Sequence, residues 1–191
     1  MHMSSSTLEP VAHVETVEAP SDVEISLQYL TLTVKGPLGK ISKDFSHTGL
    51  KLILEDNVLK VSSVNKGRRF RARVGTVAKL IRNMVEGVLH GYMVKLKIAY
   101  SHFPVTVKYD KPTRTVSIHN FLGEKSPRLF KIPFPNVEIQ VSGQDITVTG
   151  LDKNEVAQVA AMFESATKIR NKDPKVYVDG IYVVEKGLWR K

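Results

Sequence analysis

Lys66, Arg68, Arg69, Arg71 and Arg73 fall within eight residues, and the chemistry they are equipped for is holding phosphate. A guanidinium is a planar fork that can place two N–H donors on two oxygens of one phosphate. Between Asp56 and Glu86 every charged residue is basic, with Lys60, Lys79 and Arg82 joining those five. Ion pairs along the chain therefore cannot neutralise them locally. The bland alternative is a solvated loop and helix face; the density and the arginine content favour phosphate contacts. A second cluster reads Lys168-Ile169-Arg170-Asn171-Lys172-Asp173-Pro174-Lys175. Lys168 and Arg170 stand where a helix is expected to end, and cations there also relieve the helix dipole. Lys172 and Lys175 lie beyond it, flanking a proline turn, where loops on a rigid scaffold commonly carry binding. Lys125 and Arg128, in another loop, would extend the same surface.

Other chemistries find little support. There is no Gly-x-x-x-x-Gly-Lys-Ser/Thr phosphate loop, no Gly-x-Gly-x-x-Gly, no His-Glu-x-x-His and no Gly-x-Ser-x-Gly. Cysteine is absent, and His2, His13, His47, His90, His102 and His119 are scattered without ligand spacing. No metal site, cofactor or small-molecule substrate is expected. His102, between Ser101 and Phe103, is the one candidate base, but no nucleophile or acid partner can be named for it. Aromatic residues do not pair along a strand in a single-strand-binding pattern, so shape and backbone recognition of folded RNA is expected, with little sequence readout.

The overall charge points the same way. The formal net charge is +9, yet residues 1–24 hold Glu9, Glu15, Glu18, Asp22 and Glu24 and no Lys or Arg. That leaves 28 basic against 14 acidic residues in the rest. A body so basic attracts polyanions and repels itself when unbound. No apolar run is long enough to span a membrane. The first residues lack the basic start and apolar stretch of a secretory signal.

These clusters need elements to position them. Residues 1–20 show no sustained period and read as an acidic flexible extension. Val23, Ile25 and Leu27 alternate, as do Leu30, Leu32 and Val34, which predicts two strands about a turn at Gln28-Tyr29. Gly36-Pro37-Leu38-Gly39 interrupts the ladder. Leu50, Leu52 and Leu54 turn at Asp56-Asn57 into Leu59 and Val61. Val74, Val77, Ala78, Ile81, Met84, Val85 and Val88 recur at spacings of three and four, one stripe of a helix ended by Gly91. A second series follows: Val94, Leu96 and Ile98; Val105 and Val107; a turn at Pro112-Thr113; Val116 and Ile118; then Val137, Ile139 and Val141 turning at residues 142–144 into Ile146 and Val148. Asp152 and Glu155 offer a capping box for a helix with Val156, Val159, Ala160, Phe163 and Thr167 on one face, ending near Ile169.

The two series match. Leu38-Gly39-Lys40-Ile41-Ser42-Lys43-Asp44-Phe45 and Leu122-Gly123-Glu124-Lys125-Ser126-Pro127-Arg128-Leu129-Phe130 occupy corresponding places, each followed by a hairpin and an amphipathic helix. The predicted fold class is α+β, two tandem duplicated domains, each a small, mostly antiparallel sheet packed against one helix. Residues 21–91 form the first and residues 92–191 the second, which ends in a C-terminal tail.

Gly91-Tyr92, then Tyr100-Ser101-His102-Phe103-Pro104 and Asn120-Phe121-Leu122-Gly123-Glu124-Lys125, give the chain a family look. Lys168-Ile169-Arg170-Asn171-Lys172-Asp173 and Asp179-Gly180-Ile181-Tyr182-Val183 continue it. Over about residues 20–187 the sequence resembles the universal large-subunit ribosomal protein six family in its archaeal and eukaryotic form, called protein nine in cytosolic ribosomes. The resemblance implies two similar α+β domains, no catalytic activity, and a cytoplasmic place in the large ribosomal subunit among neighbouring ribosomal proteins. It also implies that the C-terminal domain makes the main ribosomal RNA contacts, near the sarcin–ricin loop and the factor-binding region. Carried over residue by residue, it assigns RNA binding to Lys125, Lys168, Arg170, Lys172 and Lys175, and structural turns to Gly123 and Gly180. Residues 1–19 are longer and more acidic than the family pattern, the tail Leu188-Trp189-Arg190-Lys191 is short, and residues 136–140 lack expected basic side chains. Two rival classes remain: a nucleic-acid-binding module working outside the ribosome, and an enzyme acting on RNA through His102. A membrane-surface role is weaker, because the cations do not line a helix with a large apolar opposite face.

Overall fold

The computed structural model describes residues 12–55, 57–170, 172–173 and 176–190. The chain divides into two compact units, 1–89 and 90–191.

In the first unit the strands are β1 (His13–Glu18), β2 (Glu24–Gln28), β3 (Thr31–Gly36), β4 (Gly39–Asp44), β5 (Lys51–Glu55) and β6 (Val58–Ser63), followed by helix α1 (Arg68–His90). They form two three-stranded sheets, ordered β2-β3-β4 and β1-β6-β5, with every pairing antiparallel. Alternation produces this arrangement directly. Leu32 and Val34 of β3, and Leu59 and Val61 of β6, point to one face and are fully buried. The helix covers them with the stripe expected for it: Val74, Val77, Ala78, Ile81, Met84, Val85 and Val88 are all buried. Gly36 permits the closest approach, since a Cβ there would lie 2.8 Å from Val88 Cγ2. Gly91, in the left-handed region at φ 68°, follows the end of the helix.

The expectation of a flexible extension over residues 1–20 is corrected where the structure describes it. Residues 13–18 form β1, paired along its whole length with β6, and Val17 is buried. Two contacts fasten this edge to the helix: Arg82 Nη2 donates to Thr16 O at 3.2 Å and to Glu15 Oε2 at 3.4 Å. Acidity signalled a solvated tail, but Glu15 faces an arginine on α1. The remainder of that extension, residues 1–11, lies outside the described residues.

The second unit repeats the order. Its strands are β7 (Tyr92–Ala99), β8 (Thr106–Asp110), β9 (Thr115–His119), β10 (Arg128–Lys131), β11 (Val137–Ser142) and β12 (Asp145–Gly150), with helix α2 (Lys153–Ala166) and then β13 (Gly180–Leu188). The sheets are β10-β9-β8 and β11-β12-β7-β13, again wholly antiparallel. Thus β7 stands to β12 as β1 stands to β6, and β8-β9-β10 corresponds to β2-β3-β4. The one addition is β13 on the outer edge of β7, with a register shift between Val183 and Glu185. The core joins Leu96, Ile98, Ile118, Phe121, Ile146, Val148, Phe163 and Ile181.

Two boundaries differ from the expectation. The segments taken as matching loops contain strands, β4 and β10, because each is the third strand of a meander. Helix α2 stops at Ala166 rather than near Ile169, where the Thr167 hydroxyl bonds back to Phe163 O at 3.1 Å and accepts from Ile181 N at 3.0 Å. At its start Asp152 Oδ1 accepts from Asn154 N at 2.9 Å.

The burial of Val17 makes β1 testable. Val17→Ala should cost about 2 kcal/mol of unfolding free energy, measured by urea denaturation. Val14→Ala, on the exposed side of the same strand, should change it by less than about 0.5 kcal/mol.

Candidate nucleic-acid interface

At one end of the second unit three loops converge, and a buried carboxylate ties two of them. Asp179 is 1% exposed. Its Oδ1 accepts from the amides of Ser101 (2.7 Å) and His102 (3.4 Å), and its Oδ2 accepts from His102 Nδ1–H (3.0 Å). An acceptor-only carboxylate facing Nδ1 fixes the proton on that nitrogen. Burial pushes the Asp179 carboxyl up, but the His102 bond, the two amides and the His102 charge outweigh it, and the group lies below its ordinary value. The His102 ring in turn stacks on Tyr177 with centroids 4.9 Å apart, and Lys172 Nζ stands 4.4 Å from the Tyr177 centroid. His102, the sequence's one candidate base, is therefore committed to a structural network with no nucleophile in it.

The 120–128 loop is joined to the same end. Gly123, at φ 76°, is held so close that a Cβ would meet the Phe103 ring at 3.2 Å. Asn120 Nδ2 donates to Pro104 O at 3.1 Å. Arg128, placed by sequence among the RNA contacts, has another task. Its Nε and Nη2 donate to Glu124 at 2.8 and 2.6 Å, its Nη1 donates to Ala166 O at 2.8 Å, and its guanidinium lies 4.3 Å from the Phe121 ring centroid. Bonding to Arg128, desolvation notwithstanding, holds the Glu124 carboxyl below its usual range. Arg128 thus clamps its loop to the last turn of α2, satisfying a helix-end carbonyl.

What this framework leaves outside is cationic. Lys125, Lys168, Arg170 and Lys172 are all exposed, and among the described residues none has a carboxylate partner. The Arg128 clamp brings the loop carrying Lys125 against the segment carrying Lys168 and Arg170. Lys175 lies outside the described residues. Sequence reasoning missed Asp179 and Tyr177 as organisers, although the runs around His102 and Asp179 had stood out.

The first unit presents its cations differently. Lys66 precedes α1, and Arg68, Arg69, Arg71 and Arg73 occupy its opening turns, all exposed. The first turn holds no acidic residue. Arg73 lies over the Phe70 ring at 5.4 Å. Positive side chains at the positive end of a helix dipole are unfavourable in a free protein. The arrangement becomes favourable when an anion sits there, because a helix N-terminus favours negative charge and guanidinium groups can hold phosphate.

Comparison with known proteins bears on this geometry. The sequence pattern described as Ribosomal protein L6 matches residues 19–91 and 103–180. The chain belongs to that family. A large ribosomal subunit protein uL6 of Desulfurococcus amylolyticus is 49% identical over 93% of this chain and 97% of its own. Proteins of the same name from Staphylothermus marinus (46%; 91% and 94%) and Methanosarcina mazei (39%; 90% and 96%) are similar over nearly their full lengths. The two matched blocks follow the structural repeat, each starting after the first strand of its unit, β1 or β7. Every candidate cation falls inside a block. Family membership makes the chain a structural ribosomal protein rather than an enzyme.

Two outcomes follow from this geometry. A carboxyl lowered by folding contributes stability that is complete above the ordinary value of about 3.9 and is lost as pH falls through the lowered folded value. At pH 7, Asp179→Asn should cost about 1–3 kcal/mol in denaturant unfolding, with the gap to wild type closing below about pH 4; a gap that persists in acid would contradict this. Replacing Arg68 and Arg69 by Glu should raise the stability of the free protein by about 0.3–1 kcal/mol per site while weakening RNA binding, read by thermal unfolding and filter binding.

Proposed function

We propose that this chain is a structural constituent of the large ribosomal subunit that holds large-subunit ribosomal RNA by its phosphates and acts in cytoplasmic translation. The second unit is the main grip, through Lys125, Lys168, Arg170, Lys172 and Lys175, in the neighbourhood of the sarcin–ricin loop and the factor-binding region; the resemblance to the family supports this reading. The opening turns of α1, with Lys66, Arg68, Arg69, Arg71 and Arg73, make a second RNA contact, and neighbouring large-subunit proteins complete the surroundings. Arg128 is left out of the phosphate contacts and serves as an internal clamp.

The observation that carries this reading is the division of labour at the convergent loops. Inward-facing polar groups are satisfied by one another, while Lys125, Lys168, Arg170 and Lys172 are exposed and have no carboxylate partner among the described residues. A surface built this way recognises a folded polyanion by position and charge. Passive stabilisation of local RNA structure needs nothing more.

The test is sedimentation of a cell lysate through a sucrose gradient after a high-salt wash. The protein should travel with large subunits and polysomes; recovery only at the top would overturn the proposal in favour of a module working outside the ribosome. In purified form, Lys168→Ala with Lys172→Ala should flatten the dependence of log affinity on log salt by roughly one unit per lost phosphate contact. Arg128→Ala should instead lower thermal stability with little change in that slope.

A further inference from the structure

A groove of about 280 Å³ opens between the C-terminal end of α2 and the start of β13, among the cations just described. Its walls are Glu164, Ile169, Tyr177 and Tyr182, its floor is Gly180 and Ile181, and Lys168 stands at its rim. We propose that this groove receives a single unpaired nucleobase of the bound RNA, one that carries an amino group, stacked on Tyr182 and hydrogen-bonded to Glu164. The inference rests on the RNA-binding reading above and names a feature of the RNA that the phosphate contacts do not select.

Charge decides what fits. The interior is acidic: Glu164 lines it, and the Asp179 carboxylate lies buried at its base. A phosphate is repelled from such a space. Lys168, which lines the groove, and Lys172, which lies over its wall residue Tyr177, attract phosphate instead. A polynucleotide satisfies both regions when its backbone follows the rim and a neutral, flat base turns inward. Phosphate contacts fix position in this way while an unstacked base supplies discrimination.

The aromatic wall is already set. Tyr177 is engaged by His102 and Lys172, so it is a fixed boundary. Tyr182 remains 46% exposed. Its hydroxyl donates to Val178 O at 3.1 Å, and its ring packs so closely on Gly180 that a Cβ there would fall 2.9 Å away. The ring is therefore pinned before any ligand arrives, which lowers the ordering cost of stacking on it. This explains why position 180 is glycine.

Glu164 sets the preference among bases. Its Oε1 accepts from Val183 N at 3.2 Å, and among the described residues its Oε2 has no partner. Adenine, cytosine and guanine each offer an exocyclic N–H to such an acceptor. Uracil offers only an N–H flanked by two carbonyls, which a carboxylate repels.

The experiment uses the full chain and three short RNA duplexes: fully paired, with one bulged adenosine, and with one bulged uridine. Affinities are read by fluorescence anisotropy at fixed salt. The adenosine bulge should bind roughly tenfold more tightly than the paired duplex, in line with the worth of one base–aromatic stack, and more tightly than the uridine bulge. Tyr182→Ala should remove the bulge preference and leave paired-duplex binding and its salt slope intact, while Tyr182→Phe should keep the preference. If Tyr182→Ala does not fold, Glu164→Gln takes its place and should erase the difference between adenosine and uridine. Equal affinity for bulged and paired RNA, or a preference that survives these changes, would overturn the groove assignment and leave the phosphate grip standing. No salt-dependent binding to any of the three would remove both.

Discussion

Asp179 is a carboxylate withdrawn from water, and such a group costs several kcal/mol unless donors surround it. Here the donors come from residues some 78 positions earlier in the chain: the amides of Ser101 and His102 and the His102 ring. The bond therefore fastens the segment after α2 to the end of β7. His102 then aligns Tyr177, and Tyr177 carries Lys172. A single desolvated charge thus fixes where a surface cation stands. Arg128 does the same for the 120–128 loop, spending its guanidinium on Glu124 and on a helix-end carbonyl. Both are charged groups used to position other charged groups, and both would be misread as ligand contacts from residue type alone.

The exposed cations have the opposite character. Four arginines at the positive end of α1, and lysines around the second unit's loops with no carboxylate partner among the described residues, add self-repulsion to a free chain. A protein that carries such charge holds it in reserve for a partner of opposite sign, and binding that partner stabilises the fold by mass action. The acidic residues of β1 offset little of this, because Glu15 is turned to Arg82 rather than to the cluster at the helix start.

Duplication explains the architecture, and the departures from it locate the specialised end. Both units run strand, meander, hairpin, helix, but the connection between the second and third meander strands differs. In the first unit Gly36 pairs with Gly39 across a tight turn. In the second it expands to residues 120–127, with Asn120 and Leu122 at positive φ, and displays Lys125. The second unit alone adds β13, and the groove beside α2 exists only because that strand is there. Elaboration at the second unit's loops, over a shared scaffold, is how one fold supplies a new surface.

The amino-acid sequence determined the alternations of β3, β6, β9 and β12, the helical stripe from Val74 to Val88, and the doubled order of elements, because apolar period follows directly from backbone geometry. It also determined the charge and the cationic clusters, which are properties of composition. It could not reveal β1, β4, β10 or β13. Those are edge strands whose side chains are half exposed, so their period is weak, and the partners of β1 and β13 are distant in the chain. Tertiary structure alone decided that Arg128 is a clamp while Lys125 is free, since the Ala166 carbonyl that claims Arg128 lies 38 residues away. It decided likewise that His102 meets a buried aspartate, and that Glu164 and Tyr182, on a helix and a strand, face one groove. Such pairings depend on which surfaces the folded core brings together, and no local pattern encodes that.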